Sequence, residues 1–224
     1  VKQGLNKVRE RYANKGFRFV KLRYRVDSDR TTKEATLYIE IEEGAKFRIR
    51  EVRFDGVQSF KLRRLRKLMK TKARNLWLIR MGTFREEKFK EDLDRIVSFY
   101  QSQGFLDVRV GHDLNYEDAT GKITILVQAE EGKQYKTGRI DIQGVKVVPE
   151  SEVWQRLEML PGTVFSQSVL AYEMQRIRDF YFRYGYMNVQ VLPEVNVNRD
   201  AGKAEVTYRI TEGDLYFVDK VKIR

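Results

Sequence analysis

Very few side chains in this sequence are suited to acid–base, nucleophilic or metal chemistry. His112 is the single histidine and there is no cysteine, so neither a thiol nucleophile nor a histidine- or cysteine-based metal site can be assembled. His112 falls in a polar stretch beyond an expected strand, where a solvated ring is expected. Carboxylates pair at Glu42-Glu43 and Glu130-Glu131. Each pair ends a strand just before a glycine, and neighbours in a strand face opposite ways, so the two acids do not converge on one substrate. Phosphate-cradling and dinucleotide glycine patterns are absent. The expectation is a non-enzymatic chain with no cofactor and no metal.

Charge is the next chemistry available. Between Gly56 and Arg85 lie Lys61, Arg63, Arg64, Arg66, Lys67, Lys70, Lys72, Arg74 and Arg80, with no acid, inside a chain of net charge +12. A block of one sign repels itself unless something anionic is near. It flanks Leu76-Trp77-Leu78-Ile79, an apolar run on an expected loop. Arg63, Arg64, Lys67, Lys70, Lys72, Arg74, Trp77, Leu78 and Arg80 therefore form a candidate patch for an anionic membrane surface or an acidic partner. The alternatives are a solvated face, and a Trp77 and Leu78 tucked under their own helices. Nucleic acid is not an expected partner. Lys15-Gly16-Phe17-Arg18-Phe19-Val20-Lys21-Leu22 approaches an RNA-recognition strand, but Arg18 stands where a small residue is required and Leu22 where an aromatic is. The corresponding Gly104-Phe105-Leu106-Asp107 and Gly185-Tyr186-Met187-Asn188 lack the pattern.

The elements that must carry these residues are repeated. Tyr12-x3-Gly16-Phe17, Tyr100-x3-Gly104-Phe105 and Tyr181-x3-Gly185-Tyr186 each close an amphipathic stretch, and Glu43-Gly44, Glu131-Gly132 and Glu212-Gly213 follow at one fixed distance. An aromatic stands three residues beyond each second glycine: Phe47, Tyr135 and Tyr216. The period is 88 and then 81 residues, too long for a solenoid unit and right for a small domain in tandem. No run approaches the about 18 apolar residues of a membrane helix.

In the first complete copy, residues 47–54 read as a strand with a phase change near Arg50–Glu51 that suits a bulge, and Asp55-Gly56 as the turn. A helix is expected over residues 60–69 with Ser59 as N-cap, and a longer one over 86–103 with Phe89, Leu93, Ile96, Val97 and Tyr100 on one stripe. Gly104 is the expected C-cap. Two strands follow, with Leu106/Val108/Val110 and Ile123/Ile125/Val127/Ala129 as their apolar faces. The order β-α-α-β-β gives an α+β fold of tandem modules, each a three-stranded mixed sheet covered on one face by two helices. A right-handed crossover lays the first strand parallel to the third, which leaves the middle strand at an open edge. The phase divides the chain into residues 1–44 (the back of one module), 45–132 and 133–213 (complete modules) and 214–224 (the first strand of a further one).

With these landmarks the chain resembles a run of POTRA domains. The resemblance rests on strands ending in glycine (Val52-Arg53-Phe54-Asp55-Gly56, Ile140-Asp141-Ile142-Gln143-Gly144), the Tyr-x3-Gly-aromatic helix ends and the Glu-Gly-x2-aromatic junctions. It implies the periplasmic arm of an outer-membrane assembly protein of the BamA type. Such an arm receives unfolded β-barrel precursors and docks accessory lipoproteins. Arms of TamA-type or two-partner secretion transporters are the alternatives in the same class. An RNA-binding array is the alternative from another class.

An open strand edge offers unpaired N–H and C=O groups to an extended client whatever its sequence. The expected client-pairing edges run over 17–26, 105–110 and 186–191, with Phe17, Phe19, Lys21, Arg23, Phe105, Asp107, Arg109, Tyr186, Asn188 and Gln190 as candidate residues. Pro193 is expected to end the third edge. A plain exposed edge blunted by Lys21, Arg23 and Arg25 is the alternative.

Overall fold

The structure, a computed structural model, describes residues 2–17, 19–29, 33–73, 82–217 and 220. The chain folds as two compact units: residues 1–97 with 109–130, and residues 98–108 with 131–224.

The first unit opens with helix α1 (Lys2–Asn14), followed by strands β1 (Lys21–Asp29) and β2 (Glu34–Glu42), an antiparallel pair. Strand β3 (Arg48–Asp55), the short helix α2 (Leu62–Leu68) and the long helix α3 (Glu86–Ser102) come next. Strands β4 (Arg109–Glu117) and β5 (Lys122–Glu130) complete a sheet of order β3-β5-β4. The pairing of β3 with β5 is parallel and that of β4 with β5 antiparallel. These are the crossover and the hairpin expected from the element order. The register slips between Ile49 and Glu51, the bulge anticipated from the phase change. Along β5 the residues facing the helices, Ile123, Ile125 and Val127, are fully buried, while Thr124 and Leu126 are half-buried. Phe89 and Ile96 of α3 and Leu65 of α2 are buried in the same unit.

The second unit repeats the plan. Strand β6 (Lys136–Gln143), helices α4 (Glu150–Trp154) and α5 (Gln167–Arg183), and strands β7 (Gln190–Asn198) and β8 (Lys203–Thr211) give the order β6-β8-β7 with the same parallel and antiparallel pairings. Its core holds Tyr135, Phe165, Ile177, Tyr181, Val206 and Tyr208. At Gly144, where the β6 turn sits, φ is +91° and an added Cβ would lie 2.0 Å from the Ile210 carbonyl oxygen. Only glycine lets the turn lie against the central strand.

Three expectations need correction. Helix α2 starts at Leu62, and its N-cap is Lys61 with no side-chain cap bond, so Ser59 does not cap it. The middle strands begin later than the alternation suggests, at Lys21, Arg109 and Gln190. After each helix the chain first makes a tight turn, with Leu106 N–H bonding Gly104 O and Met187 N–H bonding Gly185 O, both at 3.1 Å. Pro193 does not end β7 but lies inside it, opposite Tyr208. An edge strand is where a sheet tolerates a residue lacking N–H.

Candidate functional site

The repeated tyrosines and glycines form one local device three times over. Each helix ends in a Schellman turn. The N–H of Phe17, Phe105 and Tyr186 bonds the carbonyl of Tyr12, Tyr100 and Tyr181 at 3.0, 3.0 and 3.1 Å. The intervening Gly16, Gly104 and Gly185 hold φ of +95°, +88° and +87°. The two aromatics of each turn then meet edge to face, with centroids 5.8, 5.7 and 6.1 Å apart.

The tyrosine hydroxyl reaches the glutamate 31 residues on. Tyr100 donates to Glu131 at 2.7 Å and Tyr181 to Glu212 at 2.9 Å, and Tyr12 bonds Glu43 in the same way. Burial, then the adjacent carboxylate, pushes the Tyr100 and Tyr181 hydroxyls well above their ordinary range. Glu212 also accepts from the N–H groups of Lys146 and Val147, at 2.8 and 3.1 Å. The second glutamate of each paired set is thus a fixed acceptor for a tyrosine, with no substrate-facing geometry.

The last landmark aromatic closes the turn. Phe47, Tyr135 and Tyr216 donate their N–H to Gly16, Gly104 and Gly185 at 3.1, 2.8 and 2.9 Å. Their side chains meet the residue three places after that glycine: Phe19 and Phe47 meet edge to face with centroids 5.6 Å apart, Tyr135 donates to Asp107 at 2.5 Å, and Asn188 donates to Tyr216 at 2.8 Å. The hydrogen bond to Asp107 raises the Tyr135 hydroxyl, and Asp107 also pairs with Arg199 at 3.2 Å.

These facts divide the ten candidate edge residues. Phe17, Phe19, Phe105, Asp107, Tyr186 and Asn188 lie in the turns, outside any named strand, and are engaged there. The rings of Phe17 and Phe19 contact Tyr12, Phe47 and Tyr116, so they do not form a base-stacking platform on a sheet. Lys21, Arg23, Arg109 and Gln190 do lie on the middle strands, opposite Glu42, Glu40, Glu130 and Thr211. Lys21 pairs with Glu42 at 3.2 Å. His112 lies within β4 rather than beyond it, its ring edge-on to Phe89 at 5.1 Å.

Among the described residues strand β4 pairs on one side only, with β5. Its odd-numbered residues Arg109, Gly111, Asp113 and Asn115 are exposed, on the sheet face away from Val110, Leu114 and Tyr116. It carries no proline, and a Cβ at Gly111 would meet only Gln128 Oε1, at 3.8 Å. A cleft of about 540 Å³ opens where Arg109, Val110 and Gly111 meet Asp55 and Gln128. Strand β7 is also an edge but carries Pro193. Of the basic patch, Arg63, Arg64 and Lys67 lie on α2, and Lys70 and Lys72 just beyond it. Arg74, Trp77, Leu78 and Arg80 lie outside the described residues.

Two functional positions escape a reading of the sequence. Asp92 and Glu173 are fully buried carboxylates at equivalent points of α3 and α5. Asp92 accepts from the N–H of Lys70 and Thr71 at 2.7 and 2.8 Å and pairs with Arg95. Glu173 accepts from the N–H of Glu158 and Met159 and from the Tyr208 hydroxyl. Each fixes the chain just beyond the short helix. Their signal is an acid on the apolar stripe, at the same place in both copies.

The family model for POTRA, surface antigen variable number repeat, matches residues 47–132 and 135–213. The chain belongs to the POTRA family. It is 28% identical over 193 residues to the outer membrane protein assembly factor BamA of Neisseria meningitidis serogroup B, covering 83% of this chain and 24% of that protein. It is 22% identical to the BamA of Nitratidesulfovibrio vulgaris, covering 99% of this chain and 29% of that one. The POTRA chain therefore spans less than a third of the length of these relatives. Among solved structures, POTRA domains 3–5 of Haemophilus influenzae BamA match with a TM-score of 0.58 at 18% identity, over 93% of this chain and 79% of that one. Haemophilus ducreyi BamA lacking POTRA domains 1–3 matches at 0.59 and 16% identity, over 73% and 29%. At that identity the likeness speaks for the POTRA fold. Among the described residues no helix is long and apolar enough to cross a membrane, and no group of acids and histidine has the arrangement of a metal site.

Proposed function

We propose that the chain is a periplasmic scaffold of an outer-membrane protein that assembles other outer-membrane proteins, divided into modules at 1–44, 45–132, 133–213 and 214–224. It takes unfolded β-barrel precursors by strand addition, chiefly at the free edge of β4, and offers other surfaces to accessory lipoproteins. The observation that supports this reading is the one-sided pairing of β4: nine residues, Arg109–Glu117, bonded among the described residues to β5 alone, without a proline and with Gly111 third from the start. Main-chain pairing reads no side chains, which suits a receptor for many client strands. The named relatives are assembly factors of the outer membrane, which favours this class of client. Lys21, Arg23 and Gln190 mark weaker edges: β1 carries the blunting cations, and Pro193 removes a donor from β7.

The test is a photo-cross-linking amino acid placed at Asp113 on β4 or at Leu126, its direct partner on the central strand β5. Mixed with an unfolded outer-membrane barrel precursor, the chain labelled at Asp113 gives a cross-linked product and the chain labelled at Leu126 gives far less. Equal yields at the two positions contradict strand addition at this edge.

A further inference from the structure

The helical side of the second unit carries a site that strand addition does not use. A cleft of about 360 Å³ lies between the end of α4 and the C-terminal part of α5, lined by Gln155, Arg156, Arg176, Asp179, Phe180 and Arg183. The four residues on α5 fall at i, i+3, i+4 and i+7, so one helix face presents them together.

Arg156 is the anchor. Its guanidinium carbon sits 3.9 Å over the centre of the Phe180 ring, and Phe180 is buried. Stacking holds the planar fork in place, so little freedom remains to be lost when it binds. Its hydrogen bonds, both to Glu152, use Nη1 alone. Arg176 likewise bonds Glu158 through Nη1 alone, at 2.8 Å. Arg183 is exposed and, among the described residues, in no ion pair. Further donors of all three arginines are thus left to a guest. The fold does not require this charge. In the first complete module Leu68 stands where Arg156 does, two residues before the segment that the buried acid holds. Ser102 stands 81 places before Arg183.

Acids accompany the arginines. Asp179 lines the cleft, and Glu152 and Glu158 are bonded to its walls at Arg156 and Arg176. A broad anionic surface meets these acids together with the arginines and is repelled by them. A partner protein can set one carboxylate among the arginines and cations against the acids. Trp154 and Tyr172 lie exposed on the same two helices, with the Arg176 guanidinium 5.6 Å from the centre of the Tyr172 ring. Tryptophan, tyrosine and arginine are the residues enriched at the energetic centres of protein interfaces.

We propose that this cleft docks a partner protein through an acidic side chain flanked by basic ones, the carboxylate meeting Arg156, Arg176 and Arg183. The site shares no residue with the β4 edge, and it reads side chains where that edge reads a backbone.

The test is a titration of the isotope-labelled chain, followed by NMR at the arginine Nε–H groups. The probe is a capped hexapeptide with two central glutamates, an alanine on each side of them and a lysine at each end. Controls carry glutamine for both glutamates or glutamate for both lysines; sodium phosphate and vesicles containing phosphatidylglycerol complete the set. The probe shifts the signals of Arg156, Arg176 and Arg183 saturably. The glutamine peptide binds about ten-fold or more weakly, because charge-assisted bonds are lost. The peptide with acidic ends also binds more weakly than the probe, because its ends meet Glu152 and Glu158. Arg183→Gln, an exposed change, weakens the probe several-fold. Arg156→Lys does the same while keeping the charge, because an ammonium lacks the stacked fork. The peptide comparisons need no variant at all. Equal binding of the glutamine peptide, or shifts confined to signals away from the cleft, overturns the proposal. Binding of phosphate or of the acid-ended peptide as tight as that of the probe makes this a general anion site and overturns the partner assignment. Vesicle binding that depends on Arg183, without peptide binding, assigns the cleft to a lipid surface and overturns the proposal, as does no binding by any probe. Arg183→Gln leaves cross-linking from Asp113 unchanged, so this site and the β4 edge are tested separately.

Discussion

Asp92 and Glu173 show how one residue type does different work from its neighbours. Helix α3 carries four other acids and α5 one, Asp179, but these two sit on the apolar stripe. They lie at the i+3 position from Phe89 and Leu170 and four residues before Ile96 and Ile177. A carboxylate there is tolerated only because backbone N–H groups saturate it. Glu173→Ala strands the N–H groups of Glu158 and Met159 and the Tyr208 hydroxyl. At about 1–3 kcal/mol for each buried group left unpaired, the loss in unfolding free energy is about 3 kcal/mol or more, read from urea denaturation. Glu173→Gln retains an acceptor and loses less. A destabilisation within about 0.5 kcal/mol, the range of an ordinary surface substitution, would remove Glu173 from this role. The tyrosine and glycine intervals were legible as a repeat and as helix stops. Their pairing with Glu131 and Glu212 was not, because hydroxyl and carboxylate stand 31 residues apart and nothing local links them.

At the scale of elements, the parallel first and third strands, the hairpin and the bulge at Arg50 follow from element order and from the break in alternation. The onset of the middle strands does not. Leu106 and Val108 alternate with polar residues as a strand would, yet they belong to the turn that follows the Schellman cap. β4 instead runs on through Gly111, His112 and Asp113, poor strand formers that pair because β5 offers a continuous partner. Local propensity therefore places the edge about four residues early, and six of the ten candidate edge residues fall in the turns. The four that remain, Lys21, Arg23, Arg109 and Gln190, lie at or near strand starts. The basic block of residues 61–72 is legible as charge. That Arg63, Arg66 and Lys67 line one cleft with Glu51, Val52 and Arg53 of β3 is not, since residues of separate elements meet only in the fold.

For the whole molecule, the tyrosines link stability to alkaline pH. Tyr100, Tyr181 and Tyr208 are all held above their ordinary value of 10.0, by burial first and then by Glu131, Glu212 and Glu173. A group raised in the folded state contributes stability that is complete below its unfolded value and is lost as pH rises from there through the folded one. Urea midpoints should accordingly fall between pH 8 and pH 11, and fall less in Tyr181→Phe. A midpoint that does not fall contradicts that linkage. The central claim, that one sheet edge receives client strands, is tested most directly by residue-resolved amide hydrogen exchange over the whole chain, with and without an unfolded barrel-strand peptide. The account predicts new protection at alternate amides of Arg109–Glu117, less in β7 and none in the central strands β5 and β8. Protection confined to the helices, or unchanged exchange in β4 at saturating peptide, would contradict it.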